Sequence, residues 1–167
     1  MFGLCQILFL AIEIQLAMKE FTPLTDAKSV FAILSNIPFL VGVSDADREK
    51  VFRLLEVGQF KKGEYIVKRG EKLTHVYIIK KGAVNLMLAD GDRVAKKCQF
   101  NPGDCFGEVA MLSMLDNSAS FLAAEHCELI VLSRQALNQL RHEDSHLFSV
   151  LVMNLARELA RKTAMPG

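Results

Sequence analysis

Apolar residues recur along this chain first at helical spacing, then in short β-rich runs, then at helical spacing again. Thr25 and Asp26 can cap a helix from Ala27 to Leu34, and Asn36-Ile37-Pro38 should end it, because a residue before proline avoids helical angles. Ser44-Asp45-Ala46-Asp47 resembles a capping box, and Val51, Leu54 and Leu55 form the apolar stripe of the helix that follows. Over residues 57–132 the pattern is that of strands. Tyr65-Ile66-Val67, Val76-Tyr77-Ile78-Ile79 and Val84-Asn85-Leu86-Met87-Leu88 alternate with Gly63, Gly70, Gly82, Gly91 and Gly103, which stand 7 to 12 residues apart. That rhythm predicts a small barrel or sandwich. Asp90-Gly91 marks a hairpin, Pro102-Gly103 marks a second turn, and residues 119–124 and 128–132 give the last strands. Ser133 then caps a helix carrying Ala136, Leu137 and Leu140. A longer helix over residues 145–162 places Phe148, Val152, Leu155 and Leu159 at spacings of 4, 3 and 4, the seam of a two-helix contact.

With 167 residues, 51% hydrophobic and 23% charged, the chain has the profile of one folded domain with its own core. A net charge of +1 argues against nucleic acid as a principal partner. Cys5, Cys98, Cys105 and Cys127 form no C-x-x-C pair, so they read as reduced, buried thiols rather than as a zinc, dithiol or iron–sulfur framework. Residues 1–24 form an apolar N-terminal segment, but Gln6, Glu13 and Gln15 interrupt it and no basic residue leads it. It is a poor signal peptide and too short for a membrane span, so the expected location is cytoplasmic. Met18-Lys19-Glu20 offers an alternative start, in which case residues 1–17 are not part of the natural protein.

Candidate chemistry concentrates in Phe106-Gly107-Glu108-Val109-Ala110. A glycine turn opening a short helix can offer backbone N–H groups to an anion, and Glu108 adds an acceptor for a sugar hydroxyl. Two enzymatic or cofactor readings compete with it. His142-Glu143-Asp144-Ser145-His146 matches the H-E-x-x-H pattern of zinc hydrolases, yet Asp144-Ser145 is better suited to separating two helices, and Ser149 and Val152 supply no third ligand. Haem would need His75, Cys98 or Cys105 as an axial ligand, with no haem motif around them. No catalytic group, metal site or cofactor is expected.

Lys81-Gly82, Pro102-Gly103-Asp104, Phe106-Gly107-Glu108-Val109-Ala110 and Ser118-Ala119-Ser120-Phe121-Leu122-Ala123, in this order, resemble the cyclic nucleotide-binding domain family over about residues 28–162. The resemblance implies an α+β, mainly β fold: a double-stranded β-helix, or jelly-roll-like roll, at about residues 57–132. N-terminal helices flank it, and C-terminal helices follow at about 133–163, within a domain of residues 25–163. It also implies a ligand site at Phe106, Gly107, Glu108, Val109, Ala110, Asn117, Ser118 and Ala119, with Glu108 on the ribose 2′-hydroxyl and the backbone at Ser118 and Ala119 on the cyclic phosphate. Where the family places an arginine for that phosphate, this chain has Asp116-Asn117. The implied function is a non-enzymatic sensing module whose binding of cAMP or cGMP is weakened or altered, with a homodimer through the C-terminal helix and no direct DNA contact. The alternative is a dimerisation or docking domain that binds no ligand.

Overall fold

In the computed structural model, residues 19–91 and 93–164 are described. The proposed alternative start and the apolar residues before it therefore lie outside the described part. Two antiparallel sheets face one another. The first has the order β1 (Thr22–Pro23), β2 (Leu55–Phe60), β9 (Cys127–Ser133), β4 (His75–Lys81), β7 (Cys105–Phe106). The second has the order β3 (Tyr65–Val67), β8 (Ser120–Ala123), β5 (Val84–Asp90), β6 (Arg93–Phe100). This is the jelly-roll-like arrangement expected. Strands run from Leu55 to Ser133, and Asp90 opposite Arg93 closes the hairpin foreseen at Asp90-Gly91.

Helices occupy both ends of the sequence: α1 (Ala27–Leu34), a 3₁₀ turn (Pro38–Leu40), α2 (Asp45–Leu54), and, after the roll, α4 (Arg134–Glu143) and α5 (Ser145–Ala164). Between the sheets' strands sits the short α3 (Glu108–Ser113). The caps are those the sequence offers. Asp26, Ser44 and Ser133 accept hydrogen bonds from the amides of Ser29, Asp47 and Ala136. Among the described residues no helix is long and apolar enough to cross a membrane.

Strands β4 and β9 are apolar on both faces because both faces are covered. Val76, Ile78, Ile130 and Leu132 pack against the helices, while Tyr77, Ile79, Leu129 and Val131 face the second sheet. Such a doubly buried strand loses polar alternation and reads as a continuous apolar run.

Four local expectations change. Cys105 and Cys127 are buried thiols as expected, but Cys98 is exposed because it lies on β6, whose residues face solvent almost throughout. Leu55, assigned to the stripe of the second helix, opens β2 and pairs with Leu132. Thr22 and Pro23, grouped with the N-terminal segment, form an edge strand on β2, a position where proline's missing N–H does no harm. The buried face of α5 is Leu147, Leu151, Asn154, Leu155 and Glu158. Of the expected seam, Leu155 belongs to the domain's own core and Phe148 packs against it. Only Val152 and Leu159 remain of a two-helix contact, each half-buried.

Asn154 is completely buried on that inward face. Its amide donates to the carbonyls of Phe39 (2.7 Å) and Val41 (2.9 Å), and its oxygen accepts from Arg157 (2.8 Å). This fixes α5 to the 3₁₀ turn.

Candidate functional site

Gly107 makes the site possible. It joins β7 to α3 with φ +95°, and a Cβ there would stand 2.5 Å from the His75 carbonyl oxygen and 2.8 Å from Leu73 Cδ2. Only glycine both adopts that angle freely and lets the backbone pass so close to β4. The turn directs Phe106 into the inter-sheet core. There its ring stacks on Phe121 (4.4 Å between centroids) and on Tyr77 (5.0 Å).

On the other side of Gly107, Glu108 is 2% exposed. Its Oε1 stands 2.5 Å from Lys162 Nζ, contributed by the last turn of α5, and its Oε2 accepts a weak contact from Cys105 Sγ at 3.8 Å. Lys162 also donates to the Cys105 carbonyl and lies 5.5 Å from the centre of the Phe100 ring. One turn earlier, the buried Glu158 takes a bidentate pair from Arg161 (2.9 and 2.7 Å). Burial, reinforced by the carboxylate of Glu108, pushes the Cys105 thiol well above the ordinary thiol range, so it is protonated at neutral pH.

A cavity of about 930 Å³ is lined by all eight residues singled out from sequence: Phe106, Gly107, Glu108, Val109, Ala110, Asn117, Ser118 and Ala119. Within that set, Val109 and Ser118 are exposed and the others buried. Sequence reasoning missed the far walls. These are Leu86, Leu88 and Phe100 of the second sheet, and Leu159, Arg161 and Lys162 of α5. A basic residue in the last turn of a helix is expected from the helix dipole alone, so Lys162 carried no distinguishing signal.

Asn117 does not reach into the open space. Its Nδ2 donates to the carbonyls of Ala119 and Lys68 (3.4 Å to the latter), and its Oδ1 accepts the Ala119 N–H at 3.4 Å. The side chain thus folds back on the loop that carries it.

His142 and His146 stand on different helices. Asp144 ends α4, its Oδ1 accepts the Leu147 amide and so caps α5, and the two imidazoles are exposed either side of the break. Among the described residues no three histidine, cysteine or carboxylate side chains gather as for a metal ion. His75 lies on β4, beside Phe21 at 5.0 Å.

A family model described as cyclic nucleotide-binding domain matches residues 57–144. The chain is 24% identical over 140 residues to a potassium channel protein of Rhodopseudomonas palustris, covering 82% of this chain and 34% of that one. It is 28% identical over 107 residues to a cAMP-dependent protein kinase regulatory subunit of Colletotrichum orbiculare, covering 64% and 27%. It therefore spans about a third or less of these relatives' length. A cyclic nucleotide-binding domain from Methylobacillus flagellatus shares the fold at TM-score 0.73 and 20% identity, covering 82% of this chain and 78% of that one. Regulatory subunits of cAMP-independent protein kinase A are similar at 26% identity. A Trypanosoma brucei mutant bound to cAMP has TM-score 0.67 (84% and 48% covered), and the Trypanosoma cruzi protein bound to guanosine has 0.66 (84% and 47%).

Proposed function

Because this chain belongs to the cyclic nucleotide-binding domain family, we propose that it is a non-enzymatic ligand-sensing module of a regulatory protein, with its ligand in the cavity walled by Gly107, Glu108, Asn117 and Ala119. The buried carboxylate of Glu108 on that wall carries the proposal. A carboxylate at 2% exposure costs free energy unless something hydrogen-bonds to it, and Oε2 has only a long thiol contact among the described residues. A ligand hydroxyl completes it. The cavity volume of about 930 Å³ is at the upper end of small-molecule sites.

Cyclic nucleotides are weak ligands in this reading, because Asn117 stands where the resemblance requires a cation. A hydrogen bond to a charged group contributes roughly 1.5–3 kcal/mol, so Asn117→Arg should tighten cAMP or cGMP binding by roughly 10- to 150-fold. Isothermal titration of the native chain and this variant tests it. Tight cyclic nucleotide binding by the native chain, or no gain in a folded Asn117→Arg variant, contradicts the proposal.

A ligand-free docking domain is the second reading, favoured by the ion pair that Lys162 already makes with Glu108. Thermal melting separates the two, since a ligand at 100 times its dissociation constant adds about 2.7 kcal/mol of stability.

A further inference from the structure

Where the family resemblance would seat a phosphate, the Asn117 side chain is engaged with the backbone around it. Asn117 places its own amide there, with its oxygen on the Ala119 N–H and its nitrogen on the carbonyls of Ala119 and Lys68. The neutral side chain occupies one of the backbone donors an anion could use, the Ala119 N–H, and Asp116 adjoins it on the cavity wall.

Elsewhere the lining charges cancel. Lys97, Arg161 and Lys162 face Asp104, Glu108 and Asp116. Arg161 is held bidentate by Glu158, Lys162 is held by Glu108, and Lys97 is solvent-exposed on β6. A phosphodiester drawn into this cavity would lose hydration with no free buried cation among the described lining residues to replace it, which is costly.

Glu108 suits a sugar. Glu108 keeps acceptor capacity on Oε2, since an ionised carboxylate offers about four lone-pair sites and the Lys162 and Cys105 contacts use two. Phe100, Leu86 and Leu88 line the cavity with surface that suits a planar, apolar-faced base.

From these features we infer that the ligand is an uncharged ribonucleoside, its vicinal hydroxyls on Glu108 and its base against the apolar wall. This rests on reading the cavity as a ligand site. It agrees with the guanosine bound by the Trypanosoma cruzi relative, a regulatory subunit described as cAMP-independent.

Calorimetric titration of the full chain with guanosine, adenosine, cGMP and cAMP tests it. At least one nucleoside should bind about tenfold or more tighter than its own cyclic monophosphate, and its 2′,3′-dideoxy analogue should lose about tenfold or more. Cyclic nucleotide binding as tight as the nucleoside's, or an undiminished dideoxy analogue, overturns the ribonucleoside assignment and leaves the cavity a ligand site. Silence of all four compounds at millimolar concentration overturns both. Asn117→Arg, if folded, should reverse the order by freeing the Ala119 N–H and supplying a cation; an unchanged order would count against the role given to Asn117.

Discussion

Lys162 Nζ lies 2.5 Å from Glu108 Oε1, joining the last turn of α5 to the first residue of α3 across 54 positions of sequence. The carboxylate is 3% exposed in its side chain and the lysine 24%, so removing the lysine strands a nearly buried charge. Lys162→Met should lower the unfolding free energy by about 1–3 kcal/mol in urea titration. Adding Glu108→Gln should recover part of that loss, with a coupling of about 0.5–3 kcal/mol in the double-mutant cycle. Strictly additive losses would show that the contact contributes nothing.

Asn154 supplies the other attachment of α5. Asn154→Ala leaves the carbonyls of Phe39 and Val41 without their donor, and should cost about 2–4 kcal/mol by chemical denaturation. The residue is absent from the cavity lining, so ligand affinity in the folded variant should stay within about twofold of the native chain.

Gly107→Ala forces a side chain into φ +95° and toward the His75 carbonyl. The angle alone costs about 1–3 kcal/mol, and the close approach to backbone adds more. A variant melting within about 2 °C of the native chain would mean that the turn relaxes freely; for a chain of this size each kcal/mol moves the midpoint by about 2–4 °C.

Stability should fall as acid is added, in two stages. Burial, with Lys19 nearby, holds the His75 ring below its ordinary 6.5. The unfolded chain therefore takes up that proton first, so the contribution is complete above about pH 6.5 and is lost as pH drops below it. Glu128, held below its ordinary 4.5 by the hydrogen bond from Lys80, behaves in the same sense at lower pH. Urea midpoints measured from neutral pH downward should decline through both ranges. His75→Gln should flatten the first decline and leave the second; an unchanged first decline assigns it to other groups.

Local chemistry made much of this molecule readable from its residues. Asp26, Ser44 and Ser133 were recognisable as caps because each offers a short oxygen one turn before its partner amide. Gly107 and Glu108 were recognisable as a glycine turn opening a short helix. The inward face of α5 was not. Asn154 and Glu158 sit on it, and hydropathy assigns polar residues to solvent; what makes them interior is a pair of carbonyls 113 and 115 residues away for one and Arg161 for the other. The stripe Phe148, Val152, Leu155, Leu159 is the face that apolarity alone selects, and it lies partly beside the true one. Lys162 was hidden for a related reason: its partner is made adjacent by the roll, not by any spacing along the helix.

Pinning α5 at Asn154 limits how far an occupant of the cavity can be felt. From Asn154 to Lys162 the helix rises about 12 Å, a little over two turns. A hydroxyl that fills the remaining acceptor capacity of Glu108 would therefore be felt first at Lys162, while the root of α5 stays fastened to the 3₁₀ turn.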